Sequence, residues 1–143
     1  MKIWKKEEIS TKILNERNQG YMSDHLGIVF TEIVKDFVIA KMPVNKHTMQ
    51  PNKIMHGGAS CALAETVASV AANYCVDSNK LCVGQSIFTN HIRPAKDGFV
   101  FAKAFPIHLG RKTHIWQINI TSDSGKSISQ TQLTLIVIEK SHI

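Results

Sequence analysis

Between Gly57 and Tyr74 the chain reads GGASCALAETVASVAANY, small and apolar residues with Glu65 as the sole charge. The segment lacks proline, keeps its glycines at the start and is rich in alanine, so it predicts a helix of about five turns, expected over residues 57–75. No other stretch promises a helix of that length. A long apolar helix has to be covered, and the rest of the chain offers mainly strands to cover it.

Those strands announce themselves by period-2 alternation and by Val, Ile, Phe and Thr enrichment. LCVGQSIFTNHIRPA (81–95) runs into Lys96-Asp97-Gly98, and FVFAKAFPIHL (99–109) into Gly110-Arg111-Lys112. HIWQINIT (114–121) meets Asp123-Ser124-Gly125, and SISQTQLTLIVIEK (127–140) follows. Ahead of the helix, SDHLGIVFTEIV (23–34) and FVIAKMPV (37–44) read as a hairpin turning at Lys35-Asp36, and HTMQPNKIMHGG reads as turn. Within an N-terminal helical segment of 1–20, residues 5–19 set Ile9, Ile13 and Leu14 among charges, predicting a short amphipathic helix that stops at Gly20. The order α-β-β-α-β-β-β-β predicts an α+β fold. An antiparallel sheet curls around one central helix in a single domain spanning 1–143.

Composition narrows the function classes. A hydrophobic fraction of 43% and a charged fraction of 20% describe an ordinary globular chain. No apolar run approaches the ~20 residues of a membrane-spanning helix, and MKIWKKEEISTKIL has no secretory h-region, so the expectation is a cytoplasmic protein without a membrane. Cys61, Cys75 and Cys82 are odd in number and lack CxxC spacing, which predicts reduced thiols, two of them in apolar surroundings, and no metal site. The net charge of +6 comes mostly from scattered basic residues, without the aromatic-basic interleaving of a nucleic-acid surface. A phosphate-bearing small molecule suits that charge.

Placed at 100° per residue, Leu63, Val67, Val70 and Tyr74 form a large apolar stripe suited to a sheet. Gly58, Cys61, Ala62, Ala68, Ser69 and Ala72 fall around Glu65 on the other side, every one of them small. A solvated helix face carries several charges, whereas this one carries a single carboxylate among alanines. A carboxylate buried in such a cleft needs hydrogen bonds or a raised pKa, and it is a candidate base or nucleophile. At the helix start, His56-Gly57-Gly58 offers unpaired N–H groups suited to an oxyanion, though His56 may equally be read as a helix cap. His56 and Glu65 are nine residues apart, a rise of roughly 13 Å, too far for one substrate atom to meet both within one chain. That distance predicts a site built by two subunits.

HTMQPNKIMHGGASCALAETVAS, together with HIRP and HLGRKTHIWQINI downstream, resembles the hotdog-fold acyl-CoA thioesterases. The similarity is greatest to the branch acting on 1,4-dihydroxy-2-naphthoyl-CoA, with the 4-hydroxybenzoyl-CoA and phenylacetate-pathway enzymes as kin, and it runs from about Asp24 to Val137. The resemblance implies a helix wrapped by an antiparallel sheet, dimers with sites across their interface, and dimers of dimers. It implies Glu65 as nucleophile or general base on the thioester carbonyl. Gln50 and His56 would polarise that carbonyl, with the Gly57 N–H in the oxyanion hole and Ser69 positioning water. It places CoA along Gly84, along His91, Ile92, Arg93 and Pro94, and along His108, Leu109, Gly110, Arg111, Lys112 and Thr113. CoA belongs to the substrate, and no cofactor is implied. Thr66 and Met55 depart from the branch's usual residues beside the acyl group.

Each residue also has a plainer reading. Gln50 beside Pro51 could close a turn, Ser69 could bond back to the preceding helical turn, and Arg111-Lys112 could be a solvated turn. At the level of the whole chain, the alternatives are an enoyl-thioester hydratase or dehydratase on the same fold, and a non-catalytic module binding acyl-CoA or acyl-carrier protein.

Overall fold

The computed structural model describes residues 1–6 and 8–143. Along the chain these form α1 (Thr11–Asn18), α2 (Met22–His25), β1 (Val29–Ile33), β2 (Val38–Pro43), α3 (Gly57–Tyr74), β3 (Lys80–His91), β4 (Phe99–Leu109), β5 (Thr113–Ser122), β6 (Ser127–Glu139) and a 3-10 turn at Lys140–His142. Among the described residues the strands make one six-stranded sheet in the order β1-β2-β4-β5-β6-β3. Every pairing is antiparallel. The α+β arrangement expected from the sequence is the one observed.

Alternation along the central strands fills one face of the sheet. Val38, Ala40 and Met42 of β2, Val100, Ala102 and Ala104 of β4, Trp116, Ile118 and Ile120 of β5, and Leu133 and Leu135 of β6 are all without accessible surface. α3 lies on that face, contacting β2 through β6. The helical wheel needs correcting here. Leu63 and Val67 do face the sheet, but so do Ala64, Ala68, Ala71 and Ala72, all fully buried, while Val70 is only half-buried. The sheet supplies the bulk, in Phe30, Met42 and Trp116, so the helix side of the contact has to be small for the two layers to close.

Three element boundaries also differ from expectation. α1 covers 11–18 rather than 5–19, because Ser10 caps it by accepting the Ile13 N–H at 3.2 Å. Of the residues before it, Glu7 lies outside those described. Ile3 and Lys5 run as a strap, their N–H groups donating to Lys35 and Tyr74 carbonyls at 3.0 and 2.8 Å. Residues 22–25 are helical rather than strand, with Asp24 Oδ2 accepting the Gly20 N–H at 2.9 Å. β3 ends at His91, not at residue 95. The Ile92 and Arg93 N–H groups both turn to the Ile128 carbonyl, at 2.8 and 3.1 Å, and Pro94 has no N–H to continue a ladder.

This topology leaves β3 on an edge. It pairs with β6 alone, with an irregularity between Gly84 and Ser86. Its stretch Gly84–Phe88 is exposed, carries no charge and includes Ile87 and Phe88, 37% and 68% accessible.

Candidate active site

The segment leading into α3 is tightly tied. Thr48 Oγ1 donates to the Pro43 carbonyl at 2.7 Å, Met49 and Met55 bridge, and the Met55 N–H reaches the Ala95 carbonyl at 2.8 Å. Gln50 is held in the middle by its N–H to Ile54 O and its carbonyl from Lys53 N, both 2.9 Å. The His56 N–H donates to Thr48 O at 2.8 Å, and the Gly58 N–H donates to His56 Nδ1 at 2.8 Å. His56 is thus the N-cap of α3. With Nδ1 accepting, a neutral ring carries its hydrogen on Nε2, leaving a donor aimed away from the helix. The Gly57 N–H has no acceptor among the described residues, as the first turn of a helix leaves it.

Gln50 and Gly57 line a cavity of about 440 Å³ together with His91, Ile92, Arg93 and Pro94. The His91 ring lies over Gly57, so that a Cβ there would come within 2.9 Å of Nε2. That explains a glycine at this position beyond any oxyanion role. His56 borders a different recess, with His47, Met49 and Ala59. The structure therefore brings Gln50, Gly57 and the HIRP residues together and leaves the His56 ring outside that cavity.

Glu65 stands elsewhere. It is exposed on the flank of α3 that runs beside the edge strand β3, without a hydrogen bond or ion pair among the described residues. The expectation of a buried carboxylate fails for the single chain: the helix face around it is uncovered. Its closest constraint is Gly84, where a Cβ would stand 2.5 Å from Glu65 Oε1. Nearby, Cys61 Sγ donates to Thr89 Oγ1 at 3.4 Å, and Thr89 meets Thr131 at 2.9 Å. One turn after Glu65, Ser69 borders a recess between α1 and α3, and no hydrogen bond from its hydroxyl is found among the described residues. Asn73, which the sequence reading passed over, locks β3 to this helix. Its Nδ2 donates to Ser69 O and Cys82 O at 2.9 and 3.0 Å, and its Oδ1 accepts the Cys82 N–H at 2.9 Å. A lone Asn in an apolar helix was the available signal.

The second basic segment is at the far end of α3. Leu109, Gly110 and Arg111 line a cavity of about 490 Å³ with the N-terminal strap, Cys75 and Lys80. His108 packs on Gly110, whose N–H donates to Thr113 O at 2.9 Å, and the Lys112 carbonyl accepts the Val137 N–H at 2.9 Å. The helix between the two cavities has 18 residues, roughly 27 Å. One chain does not bring HIRP and HLGRKT to one place.

Buried beneath this end, His114 Nδ1 lies 3.6 Å from Cys82 Sγ. Burial lowers the His114 pKa, helped by neighbouring His108 and Lys5 and opposed by a backbone hydrogen bond at Gly110. Burial also pushes Cys75 up to about 12 and Cys82 up to about 11, which makes both inert thiols at neutral pH. Cys75 and Cys82 are buried, and Cys61 is half-buried.

Comparison with known proteins decides the family. Residues 52–129 match the model of the thioesterase superfamily. The chain belongs to that superfamily. A crystal structure of a Haemophilus influenzae thioesterase superposes on it with a TM-score of 0.93 at 42% identity, over 96% of this chain and 95% of that one. The 1,4-dihydroxy-2-naphthoyl-CoA hydrolase of Escherichia coli K12 is 38% identical over 95% of this chain and 99% of its own length. A Staphylococcus aureus thioesterase, solved as separate glutamine-to-alanine and glutamate-to-alanine mutants, is 32% identical in both; the glutamine mutant covers 81% of this chain and 97% of its own, with a TM-score of 0.78. The thioesterase described here thus has the hotdog architecture, and it is a hydrolase of thioesters. Among its described residues no helix is long and apolar enough to cross a membrane.

Proposed function

We propose that this thioesterase hydrolyses acyl-CoA esters, with Glu65 as the reacting carboxylate and the Gly57 N–H, Gln50 and His56 polarising the carbonyl from a second copy of the chain. The observation that carries this reading is the seat of Glu65 against Gly84, where the missing side chain makes room for the carboxylate. Backbone without a side chain faces a carboxylate that has no other partner, on a helix face whose residues are all small. A thioester can reach Glu65 there, and little else explains why the face is bare. Support also comes from the S. aureus relative, where the mutated glutamine and glutamate are 15 positions apart, as Gln50 and Glu65 are here.

Chemistry follows from the donors present. The thioester carbon is attacked by Glu65 itself or by water from which Glu65 takes a proton. The carbonyl electrons move to oxygen, where the Gly57 N–H at the positive end of α3 stabilises them. Along the water route, collapse expels the CoA thiolate, which takes the proton back from Glu65. Along direct attack the thiolate leaves without it, and is protonated once water opens the acyl-enzyme and releases a proton. Direct attack would leave an acyl anhydride on Glu65 for water to open. Labelled oxygen from water enters Glu65 in a single turnover only along that route.

A dimer supplies the missing half. β3 is a long edge whose exposed stretch Gly84–Phe88 carries no charge, and antiparallel pairing with its counterpart would extend the sheet. It would also set two α3 helices antiparallel, bringing the partner subunit's Gln50 and Gly57 toward Glu65. CoA phosphates would then lie between Arg93 and Arg111 from different copies, which suits the basic balance. No cofactor enters this scheme, an acyl-CoA substrate places it in the cytoplasm, and such dimers would pair again into tetramers. The test is thiol release from a panel of aryl- and fatty-acyl-CoAs, ranked by kcat/KM, alongside mass by light scattering. Unchanged turnover in Glu65→Ala across the panel would sink the assignment.

A further inference from the structure

The recess between α1 and α3 is not used by the scheme above. It measures about 250 Å³ and is bordered by Leu14, Arg17 and Asn18 of α1 and by Ser69, Val70 and Tyr74 of α3. A cavity of ~150 Å³ already admits a benzene ring, so this one holds a ring with a substituent. It begins at Ser69, one helical turn or roughly 6 Å beyond Glu65 on the same face of α3.

Several of its polar groups have donors to spare. Asn18 Nδ2 is buried with no hydrogen-bond partner among the described residues. Arg17 Nη1 is 3.5 Å from Tyr74 Oη, a contact that occupies one of five guanidinium hydrogens and leaves the phenolic hydrogen unspent. Among the described residues no carboxylate lies within salt-bridge distance of Arg17, and no acidic residue lines the recess. Asn73, also on the wall, has both ends of its amide engaged. An unpaired buried amide donor beside an unpaired guanidinium asks for an anionic acceptor.

The wall carrying these donors is fixed. Asn15 donates to Phe30 O at 3.0 Å and accepts the Phe30 N–H at 2.8 Å, tying α1 to β1, and Leu14 is buried below it. Arg17 and Asn18 follow in the last turn of the same helix, so they stay at the recess.

We infer that this recess receives the far end of the acyl group and selects one ending in a carboxylate, held by Arg17, Asn18 and the Tyr74 hydroxyl. The inference rests on the acyl-CoA hydrolase reading. Its substrate class is a thioester of a dicarboxylic acid with a rigid spacer one ring long. Matched esters differing only at the distal group test it: 4-carboxybenzoyl-CoA against 4-methylbenzoyl-CoA, followed by thiol release. The carboxylate ester is expected to have the higher kcat/KM by about tenfold or more, mostly through KM. Arg17→Gln should bring that ratio close to one. Arg17→Glu should reverse the preference toward 4-(aminomethyl)benzoyl-CoA, a gain that a merely damaged fold would not produce. Cleavage of the methyl ester with no preference for the carboxylate, or a ratio indifferent to Arg17, overturns this inference alone. Cleavage of neither ester while others of the acyl-CoA panel are cleaved overturns this inference alone, and cleavage of no member of the panel overturns the acyl-CoA hydrolase reading with it.

Discussion

Toward the sheet, α3 presents Leu63, Ala64, Val67, Ala68, Ala71 and Ala72, none with accessible surface. On its outer flank, beside the edge strand β3, the same helix presents Gly58, Cys61, Ala62, Glu65 and Ser69, all half-buried or exposed. Alanine serves on both faces for different reasons. On the inner face it makes room for Trp116, Phe30 and Met42 rising from the sheet. On the outer face, in the function proposed above, it makes room for a ligand and a second copy of the chain. Small residues mark close approach but do not say by what. A substitution on one face should therefore move stability and leave chemistry alone, and a substitution on the other should do the reverse.

The widest separation is expected at Glu65. Glu65→Gln should lower turnover by about 10²–10⁴-fold while the urea midpoint stays where it was; a midpoint that falls with the activity would make Glu65 a structural residue. On the inner face, Leu63→Ala should cost about 2–5 kcal/mol of unfolding free energy, measured by urea titration. Turnover per folded molecule should persist there, and its loss would erase the distinction between the faces.

Gly84→Ala probes the border between them. The added methyl would meet Glu65 Oε1 at 2.5 Å, and the flexible carboxylate can swing aside at little cost to stability. Turnover should fall by about ten- to a hundredfold, since an ångström of misplacement carries that penalty, with the melting temperature nearly unchanged. A restored rate in Gly84→Ala would show that Glu65 does not need its present position.

The smallest effect is a pH dependence beneath the inner face. His114 has its pKa lowered from 6.5 by burial, so in the unfolded chain it binds a proton that the folded chain refuses. Stability from this group is complete above 6.5 and declines as pH falls from there toward the lowered value. Replacing His114 with Phe should flatten that acid-side slope in urea titrations across the same window. An unaltered slope would mean that other groups set it.

Much of this molecule was legible because its signals are local. Turns at Lys35-Asp36, Lys96-Asp97-Gly98 and Asp123-Ser124-Gly125 lie where turn chemistry put them, and α3 begins at the glycines that open it. Glu65 and Gly57 stood out because both belong to one helix and their separation is a matter of rise per residue. The wheel, however, put Ala68 and Ala72 beside Glu65, because hydrophobic periodicity weighs side chains and cannot see the volumes opposing them. Ser23–His25 read as strand until Asp24 turned back to Gly20. Arg17 and Asn18 carried no signal at all, since a polar pair at the end of a short helix looks solvated until a second helix faces it.

The sequence by itself determined one apolar helix amid alternating strands, a solitary carboxylate nine residues beyond His56, and a helical rise between them too long for one atom to meet both. Those are consequences of composition, spacing and the geometry of a turn. Tertiary structure decided which face of α3 the sheet covers, that β3 crosses to an edge beside β6, and that Gly84 and His91 come to lie against Glu65 and Gly57. Such contacts join residues far apart in the chain, and they are selected by how volumes close around the helix, a property no single segment carries.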